Sequence, residues 1–244
     1  FQPFILGQKT FVAKMAVQFK IPLIFYGEMP GEYGEKVSHK TSSYASAESK
    51  AETEGYSLDY LGATDLRDVL LGGKKVGDYL EEGVALVDLM SYLPQNPESL
   101  MENGIDFKYL GYYKKWVPQE AYYYAQEHTG FEPNPVRTEG TYQKYQSLDD
   151  KTDGFFYFTR WIKFGVGRTM MDSAQEVRNS HIEKDEAIAL MRRYEGEYPA
   201  RYEKDFFDYI SMDRSEFLRL CDKFRSPHLW KIKDDEWKLR YKPY

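Results

Sequence analysis

The first apolar residues of the chain recur at helical spacing. Between residues 8 and 20 they are Phe11, Val12, Met15, Ala16 and Phe19, a period that predicts an amphipathic helix. The next apolar run, residues 21–26, is short and continuous and ends at Gly27, as in a strand buried on both faces. Because a helix followed by such a strand is the unit of a parallel α/β sheet, the pattern predicts the α/β class.

A polar stretch rich in Ser, Glu and Gly, residues 29–57, follows and predicts a loop or a weak helix near 44–54. Residues 107–113 are β-like in composition and predict a second strand. A helix is expected from Thr64 or Asp65 to the paired glycines at 72–73. Further helices are predicted at 76–82, 84–92 (stopped by Pro94 and Pro97), 118–129, 149–163, 169–179, 183–194, 199–210 and 213–224.

The hydrophobic pattern therefore predicts two parts of the chain with different secondary structure. Residues 1–116 predict part of an α/β domain that contains the polar loop. Residues 117–244 predict a mainly helical region, irregular at 131–148, whose last residues, 229–240, alternate around an acidic turn as in a β-hairpin.

The composition of the chain excludes several classes of function. With 39 acidic and 33 basic residues the chain has a net charge of −6, which argues against non-specific nucleic-acid binding. No apolar run approaches the length of a membrane span, so membrane insertion is not expected. A single cysteine, Cys221, and four histidines without metal-ligand spacing predict no Cys- or His-based metal site. Low cysteine usage favours the cytoplasm.

The strongest candidate for chemistry is the glycine-rich turn KFGVGR (163–168), which leads into a helix. Gly165 and Gly167 would let the backbone approach a ligand, and the first N–H groups of the helix would point at an anion. Lys163 and Arg168 would supply positive charge. This turn therefore predicts a phosphate or pyrophosphate site.

The helix after the turn carries Arg168, Asp172 and Glu176 at i, i+4 and i+8, so the three side chains follow one ridge. The apolar residues Met170, Ala174 and Val177 fall on another stripe. The charged ridge is either a functional surface or a solvated face with intrahelical ion pairs, and the sequence leaves both open.

Several motifs in order resemble the N-acetyl sugar amidotransferases of surface-polysaccharide and nonulosonic-acid biosynthesis, which belong to the PP-loop ATP pyrophosphatase superfamily. They are IPLIFYGE (21–28), ATDLRD (63–68), YLGYYKKW (109–116), RTEGTY (137–142), DDK (149–151), KFGVGR (163–168), EVRN (176–179) and FRSPHLW (224–230). The resemblance extends over nearly the whole chain.

The resemblance implies an enzyme that converts the acetamido group of a nucleotide-activated sugar to an acetamidino group. ATP would adenylate the amide oxygen, and ammonia from a glutaminase partner, similar to imidazole glycerol phosphate synthase, would displace AMP. The departing pyrophosphate would need cations and oriented N–H groups. ATP and Mg²⁺ are the implied cofactors.

The chain departs from this family in one respect. The SGGxDS-type PP-loop that cradles pyrophosphate does not occur in residues 1–244. We therefore expect a remnant of a PP-loop α/β domain followed by the helical region, as in the C-terminal portion of a longer enzyme. This portion alone is not expected to hydrolyse ATP efficiently.

These considerations assign a role to each candidate residue, and each has a structural alternative. Catalytic candidates are Lys163, Arg168 and Asp172, and cofactor-binding candidates are Gly27, Glu28, Asp149, Asp150, Gly165 and Gly167. Asp149 and Asp150 would hold Mg²⁺ or serve as an acidic helix start. Substrate-binding candidates are Arg137, Glu139, Tyr142, Glu176 and Arg178, and the first three could instead anchor the loop.

Two further functions stay open. The same ATP chemistry could act on RNA, although the acidic balance argues against it. The chain could also be a non-catalytic helical module that docks the glutaminase.

Overall fold

The computed structural model describes residues 2–27 and 65–242. The predicted polar loop at 29–57, the weak helix near 44–54 and Glu28 lie outside these residues. The chain divides into two compact units, Phe1–Trp116 and Val117–Tyr244. In the part of the chain that is described, no helix is both long and apolar enough to cross a membrane.

A small parallel sheet organises the first unit. Helix α1 (Gln2–Phe19) leads into strand β1 (Leu23–Tyr26), which pairs in parallel with β4 (Asp106–Tyr109). Ile24 and Phe107 are partners in this register and are buried with Ala13 and Ala16 of α1. The parallel helix–strand arrangement predicted from the apolar pattern is thus confirmed, but the strand is not buried on both faces, because Leu23 and Phe25 are exposed. The second strand ends four residues earlier than predicted, because α5 (Leu110–Tyr113) follows it.

The segment after Asp65 is not the predicted helix. The Asp65 side chain accepts the Arg67 N–H at 2.7 Å and starts only a short 3₁₀ turn, Leu66–Asp68. A tight hairpin follows, made of β2 (Leu70–Leu71) and β3 (Lys74–Lys75). Gly72 and Gly73 both have positive φ and form its turn, because left-handed backbone suits glycine. The paired glycines therefore connect two strands and do not end a helix.

The remaining helices of the first unit are short. They are α2 (Val76–Glu81), α3 (Leu86–Leu89) with a 3₁₀ turn at Met90–Tyr92, and α4 (Pro97–Glu102). The helix predicted at 84–92 does end at Tyr92, before Pro94. Pro97, however, begins α4, which was not predicted, and lies in its first turn, where its missing N–H costs nothing. Asn96 caps this helix by accepting the Glu98 N–H at 2.9 Å.

The second unit is mainly helical. Its elements are α6 (Pro118–Thr129), α7 (Asp153–Phe164), α8 (Arg168–Arg178), α9 (Lys184–Tyr194), α10 (Glu203–Ile210), α11 (Arg214–Lys223), β5 (Trp230–Lys233) and β6 (Glu236–Leu239). Strands β5 and β6 pair antiparallel and confirm the predicted terminal hairpin. Helices α7 and α10 each begin four residues later than predicted.

An aromatic core holds the second unit together. Phe155 of α7 stacks on Phe206 of α10 with ring centroids 3.8 Å apart, and Phe217 of α11 meets both rings edge-on. The hairpin docks on this core through Trp230, which is buried and donates its indole N–H to the Ile162 carbonyl at 2.7 Å. This core fixes α7, which precedes the glycine-rich turn.

Candidate functional site

The irregular segment between α6 and α7 is pinned onto helix α8 by buried side chains. Thr141 donates its hydroxyl hydrogen bond to Asp172 at 2.6 Å, and Thr169 donates to the Gly140 carbonyl at 2.7 Å. Within the segment, the Thr138 N–H bonds the Gln143 carbonyl at 3.0 Å. The segment is therefore a fixed wall over the first half of α8.

The charged ridge of α8 faces this wall. Asp172 is 3% exposed and Glu176 is also buried, whereas Met170, Ala174 and Val177 are only half-buried. The two carboxylates are therefore not on a solvated face, although the intrahelical ion pair of that alternative does form between Arg168 and Asp172. The apolar stripe of α8 did not predict the burial of these carboxylates, because it is polar residues of the loop that cover the charged side of the helix.

Asp172 is held by a positive charge and a hydroxyl. Its Oδ1 accepts the Arg168 Nε–H at 2.8 Å, while its Oδ2 accepts the Thr141 hydroxyl. Burial raises the pKa of Asp172, and the Arg168 charge and the Thr141 hydrogen bond oppose that shift. The Arg168 guanidinium also lies 5.2 Å from the Tyr157 ring centroid. Such a buried pair is costly to break, since either partner would be left as an unpaired charge.

Two tyrosines complete the buried cluster. Desolvation, reinforced by the charges of Asp172 and Glu176, raises the pKa of both Tyr142 and Tyr145. Tyr145 donates to the Gln119 side-chain oxygen at 3.1 Å, whereas the Tyr142 hydroxyl is buried without a hydrogen-bond partner. The phenols therefore stay protonated and can act as hydrogen-bond donors but not as bases.

Glu176 has a partner that the sequence did not reveal. Its Oε2 lies 2.5 Å from Nδ1 of His181, which follows the end of α8. The predicted residues Arg168, Asp172, Glu176 and Tyr142 are thus brought into one cluster, joined by Thr141 and His181. A buried polar cluster with this many charges is costly to build without a purpose, which makes it the leading functional candidate in the second unit.

Arg137 lies beside the cluster but its charge is used within the chain. Its guanidinium donates two hydrogen bonds of 2.6 Å to the carboxylate of Glu197, which also accepts the Gly140 N–H at 2.9 Å. Partial burial raises the pKa of Glu197, but the Arg137 and Gly140 hydrogen bonds outweigh it, so the pKa lies below its ordinary value. Arg137 anchors the loop.

Glu139 is engaged in the same way. Both of its oxygens accept the Arg201 backbone N–H at 3.1 Å. It shares a narrow cleft with Asp150, Lys151 and Tyr202, whose volume of about 20 Å³ is room for roughly one water. This cleft is too small to hold a sugar.

The glycine-rich turn already contains an anion from the chain itself. The Glu195 carboxylate accepts hydrogen bonds from the backbone N–H of Gly167 and, at 3.0 Å, from that of Met170. Burial raises the pKa of Glu195, and these two N–H groups oppose the shift. The start of α8 is thus occupied, so in this arrangement it does not fit the phosphate predicted there.

The other cofactor candidates are dispersed. Gly165 is the left-handed residue that ends α7, and Lys163 is exposed in its last turn, 5.3 Å from the Phe164 ring centroid. Asp150 accepts two hydrogen bonds of 2.7 Å from Thr152 at the helix start, which is the structural role that the alternative assigned to it. Asp149 and Arg178 are exposed, and Gly27 is exposed after β1.

No group of three or more His, Cys, Asp or Glu side chains in residues 2–27 and 65–242 could hold a metal ion. Asp149 and Asp150 are thus not part of a cluster of this kind, and their role as Mg²⁺ ligands together with a triphosphate stays a prediction.

An apolar groove lies between α7, α10 and α11. Its volume is about 620 Å³. The lining residues include Phe156, Lys163, Phe164, Ile210, Leu220, Cys221 and Phe224. Burial raises the pKa of the Cys221 thiol to about 11, so this cysteine is an apolar wall residue and not a nucleophile.

Comparison with known families identifies the part of the chain that carries this cluster. Residues 139–243 match the family described as LPS biosynthesis protein WbpG-like, C-terminal domain. The WbpG-like region contains Thr141, Tyr142, Arg168, Asp172, Glu176 and His181, as well as Glu195 of the glycine-rich turn. No curated protein matches the chain at a significant level.

Proposed function

We propose that this chain is part of an ATP-dependent amidotransferase that converts the acetamido group of a nucleotide-activated sugar to an acetamidino group in lipopolysaccharide biosynthesis. The observation that carries the proposal is the WbpG-like region, which coincides with the buried Arg168–Asp172–Glu176 cluster. The ordered motifs that resemble sugar amidotransferases support the same reaction.

In this proposal the WbpG-like region serves the sugar and the transfer step. Tyr142 and Arg168 are the donors that would orient the acceptor, because an activated sugar offers hydroxyl and phosphate oxygens. ATP is a substrate whose triphosphate site is assigned outside the described residues, because Glu195 fills the start of α8. A glutaminase partner would supply ammonia.

The test uses the full-length parent enzyme with Mg-ATP, ammonium and a panel of UDP-linked acetamido sugars. Release of AMP together with replacement of the amide oxygen by NH in the product is the expected result. A folded enzyme that forms no AMP with any sugar would contradict the proposal, and salt-sensitive transfer-RNA binding by that enzyme would favour the RNA alternative.

Two arginines of the neighbouring helices α8 and α9 provide a matched comparison. Arg168→Lys keeps a positive charge but loses the hydrogen bond from the guanidinium Nε–H to Asp172, so we expect kcat/KM for the sugar to fall by about 10²-fold. Arg192→Lys changes an exposed arginine of α9 outside the cluster and is expected to leave kcat/KM within about twofold. Equal loss in both variants would remove Arg168 from the site.

A further inference from the structure

His181 has the geometry of an oriented imidazole. Its Nδ1 lies 2.5 Å from Glu176 Oε2, and its backbone N–H donates to the Glu176 carbonyl at 2.9 Å. The Glu176 side chain is 8% exposed, whereas the His181 side chain is 27% exposed. One nitrogen is therefore fixed against a buried carboxylate while the ring extends toward the surface.

The second ring nitrogen of His181, Nε2, is available to accept a proton. A carboxylate accepts hydrogen bonds, so Nδ1 carries the proton of the neutral ring and Nε2 keeps its lone pair. The nearest carboxylate to Nε2, Glu120 of α6, is 3.9 Å away, which is beyond hydrogen-bonding distance. Among the described residues nothing else donates to or accepts from Nε2. A carboxylate that fixes a histidine tautomer and leaves Nε2 open is the arrangement of a general base.

The titratable groups around the ring are few. Glu176 of α8 and Glu120 of α6 face it, and Asp172, Tyr142 and Tyr145 surround Glu176 on the buried side. Both phenols are held protonated by burial and by the neighbouring carboxylates. Asp172 is committed to Arg168 and Thr141. In this cluster His181 is thus the group with an open lone pair that can accept a proton.

We propose that His181 is the general base of the ammonia-transfer step and that Glu176 is its positioning residue. This inference rests on the proposed function. Ammonia forms a C–N bond to the activated amide carbon while the C=N π pair moves to the amide nitrogen, and the ammonia nitrogen becomes positively charged. His181 Nε2 takes one proton from that nitrogen. The C–O bond to AMP then breaks, its electron pair leaves with the AMP phosphate oxygen, and the proton on His181 passes to solvent.

The experiment separates activation from transfer in the full-length enzyme. Sugar-dependent exchange of pyrophosphate into ATP reports activation, and amidine formation with ammonium reports transfer. His181→Ala and His181→Gln are expected to keep the exchange rate within about twofold while amidine formation falls by about 10²- to 10⁴-fold. Added imidazole is expected to restore part of the transfer rate in His181→Ala.

Two further variants distinguish chemistry from packing. Glu176→Gln keeps the shape of the side chain but removes the charge that fixes Nδ1–H, so we expect a lower kcat with KM for the sugar unchanged and a shifted acidic limb of the pH profile. His128→Ala changes a histidine of α6 whose side chain is 48% exposed, and it is expected to leave both rates unchanged.

The possible results distinguish failure of the His181 proposal from failure of the proposed amidotransferase function. Transfer at the wild-type rate in both His181 variants would overturn the role of His181 while leaving the amidotransferase intact. Loss of exchange as well as transfer in His181→Gln, with an unchanged melting temperature, would also overturn it. A wild-type enzyme without any sugar-dependent exchange would instead refute the proposed function.

Discussion

Glu195 provides the sharpest test of how the glycine-rich turn is built. Its carboxylate joins the N–H groups of Gly167 and Met170, two of the otherwise unpaired donors at the start of α8. Glu195→Ala removes both acceptors, and Glu195→Gln keeps one oxygen without the charge. If the carboxylate caps the helix, both variants must lose stability, and the alanine variant must lose more.

The expected loss in the free energy of unfolding follows from the hydrogen bonds that the Glu195 carboxylate accepts. Loss of a helix cap costs about 0.5–2 kcal/mol, and each hydrogen bond to a charged group contributes about 1.5–3 kcal/mol. The burial that raises the pKa of Glu195 offsets part of this gain. We therefore expect Glu195→Ala to lower the free energy of unfolding by about 2–4 kcal/mol and Glu195→Gln by about half as much.

The assay is thermal unfolding of the full-length enzyme with and without pyrophosphate. For a cooperative unit of this size, 1 kcal/mol corresponds to about 4 °C in Tm, so Glu195→Ala should melt about 8–16 °C lower. In that variant the exposed N–H groups are open to an anion, so pyrophosphate should raise its Tm more than that of wild type. Glu183→Ala, at the start of the neighbouring helix α9, controls for the loss of a helix-capping carboxylate elsewhere.

Two results would refute the reasoning. A Glu195→Ala enzyme with wild-type stability would mean that the carboxylate does not cap α8. Equal stabilisation of wild type and variant by pyrophosphate, abolished in both by Lys163→Ala, would mean that the turn binds phosphate as the sequence predicted and that Glu195 yields to it.

Three other contacts of the second unit lead to further predictions about stability. Because the pKa of Glu197 lies below its ordinary 4.5, its stabilisation is present above that value and is lost as pH falls through the folded pKa. Glu197→Gln should therefore cost about 1–2 kcal/mol in urea unfolding at pH 7, a difference that disappears in acid; a constant difference would contradict the Arg137 pairing. Trp230→Phe should lower the free energy of unfolding by about 2 kcal/mol, since it removes the hydrogen bond to the Ile162 carbonyl, whereas Trp237→Phe should change it little. Phe206→Ala should cost about 3–5 kcal/mol by opening a cavity beside Phe155, and a smaller loss would show that the aromatic core can collapse around it.

Local patterns in the sequence were sufficient for the longer helices of the second unit, the parallel strand and the terminal hairpin, but not for the β2–β3 hairpin or for α4 and α5. Alternation around residues 234–235 identified the terminal hairpin, and the apolar run at 21–26 identified the parallel strand, because each is determined within a few neighbours. The paired glycines and Pro97 were misjudged because both residues have two structural uses. Gly72 and Gly73 can end a helix or turn a hairpin, and Pro97 can stop a helix or begin one.

The partners of the site could not be predicted because they are distant in the sequence. Glu195 lies 28 residues from the Gly167 N–H that it accepts, and Thr141 lies 31 residues from Asp172. Glu195 follows a helix whose last turn is basic, so nothing local marks it as a cap for another helix. The contact between His181 and Glu176 was easier to predict from the sequence. The two residues are only five positions apart, and the chain folds back toward Glu176 where α8 ends.

The contact between Glu195 and the glycine-rich turn also restricts how the sequence of this region can vary. A Cβ atom added at Gly167 would lie 2.8 Å from the Glu195 Oε1 and 3.4 Å from the Trp161 Cβ, so no larger side chain fits while the carboxylate is in place. Positions 167 and 195 are therefore coupled: a homologue with a side chain at 167 must have replaced or moved the acid at 195. Since loss of that acid opens the start of α8 to a bound anion, the residue pair would distinguish, within one family, chains that cap this helix themselves from chains that leave it to a ligand.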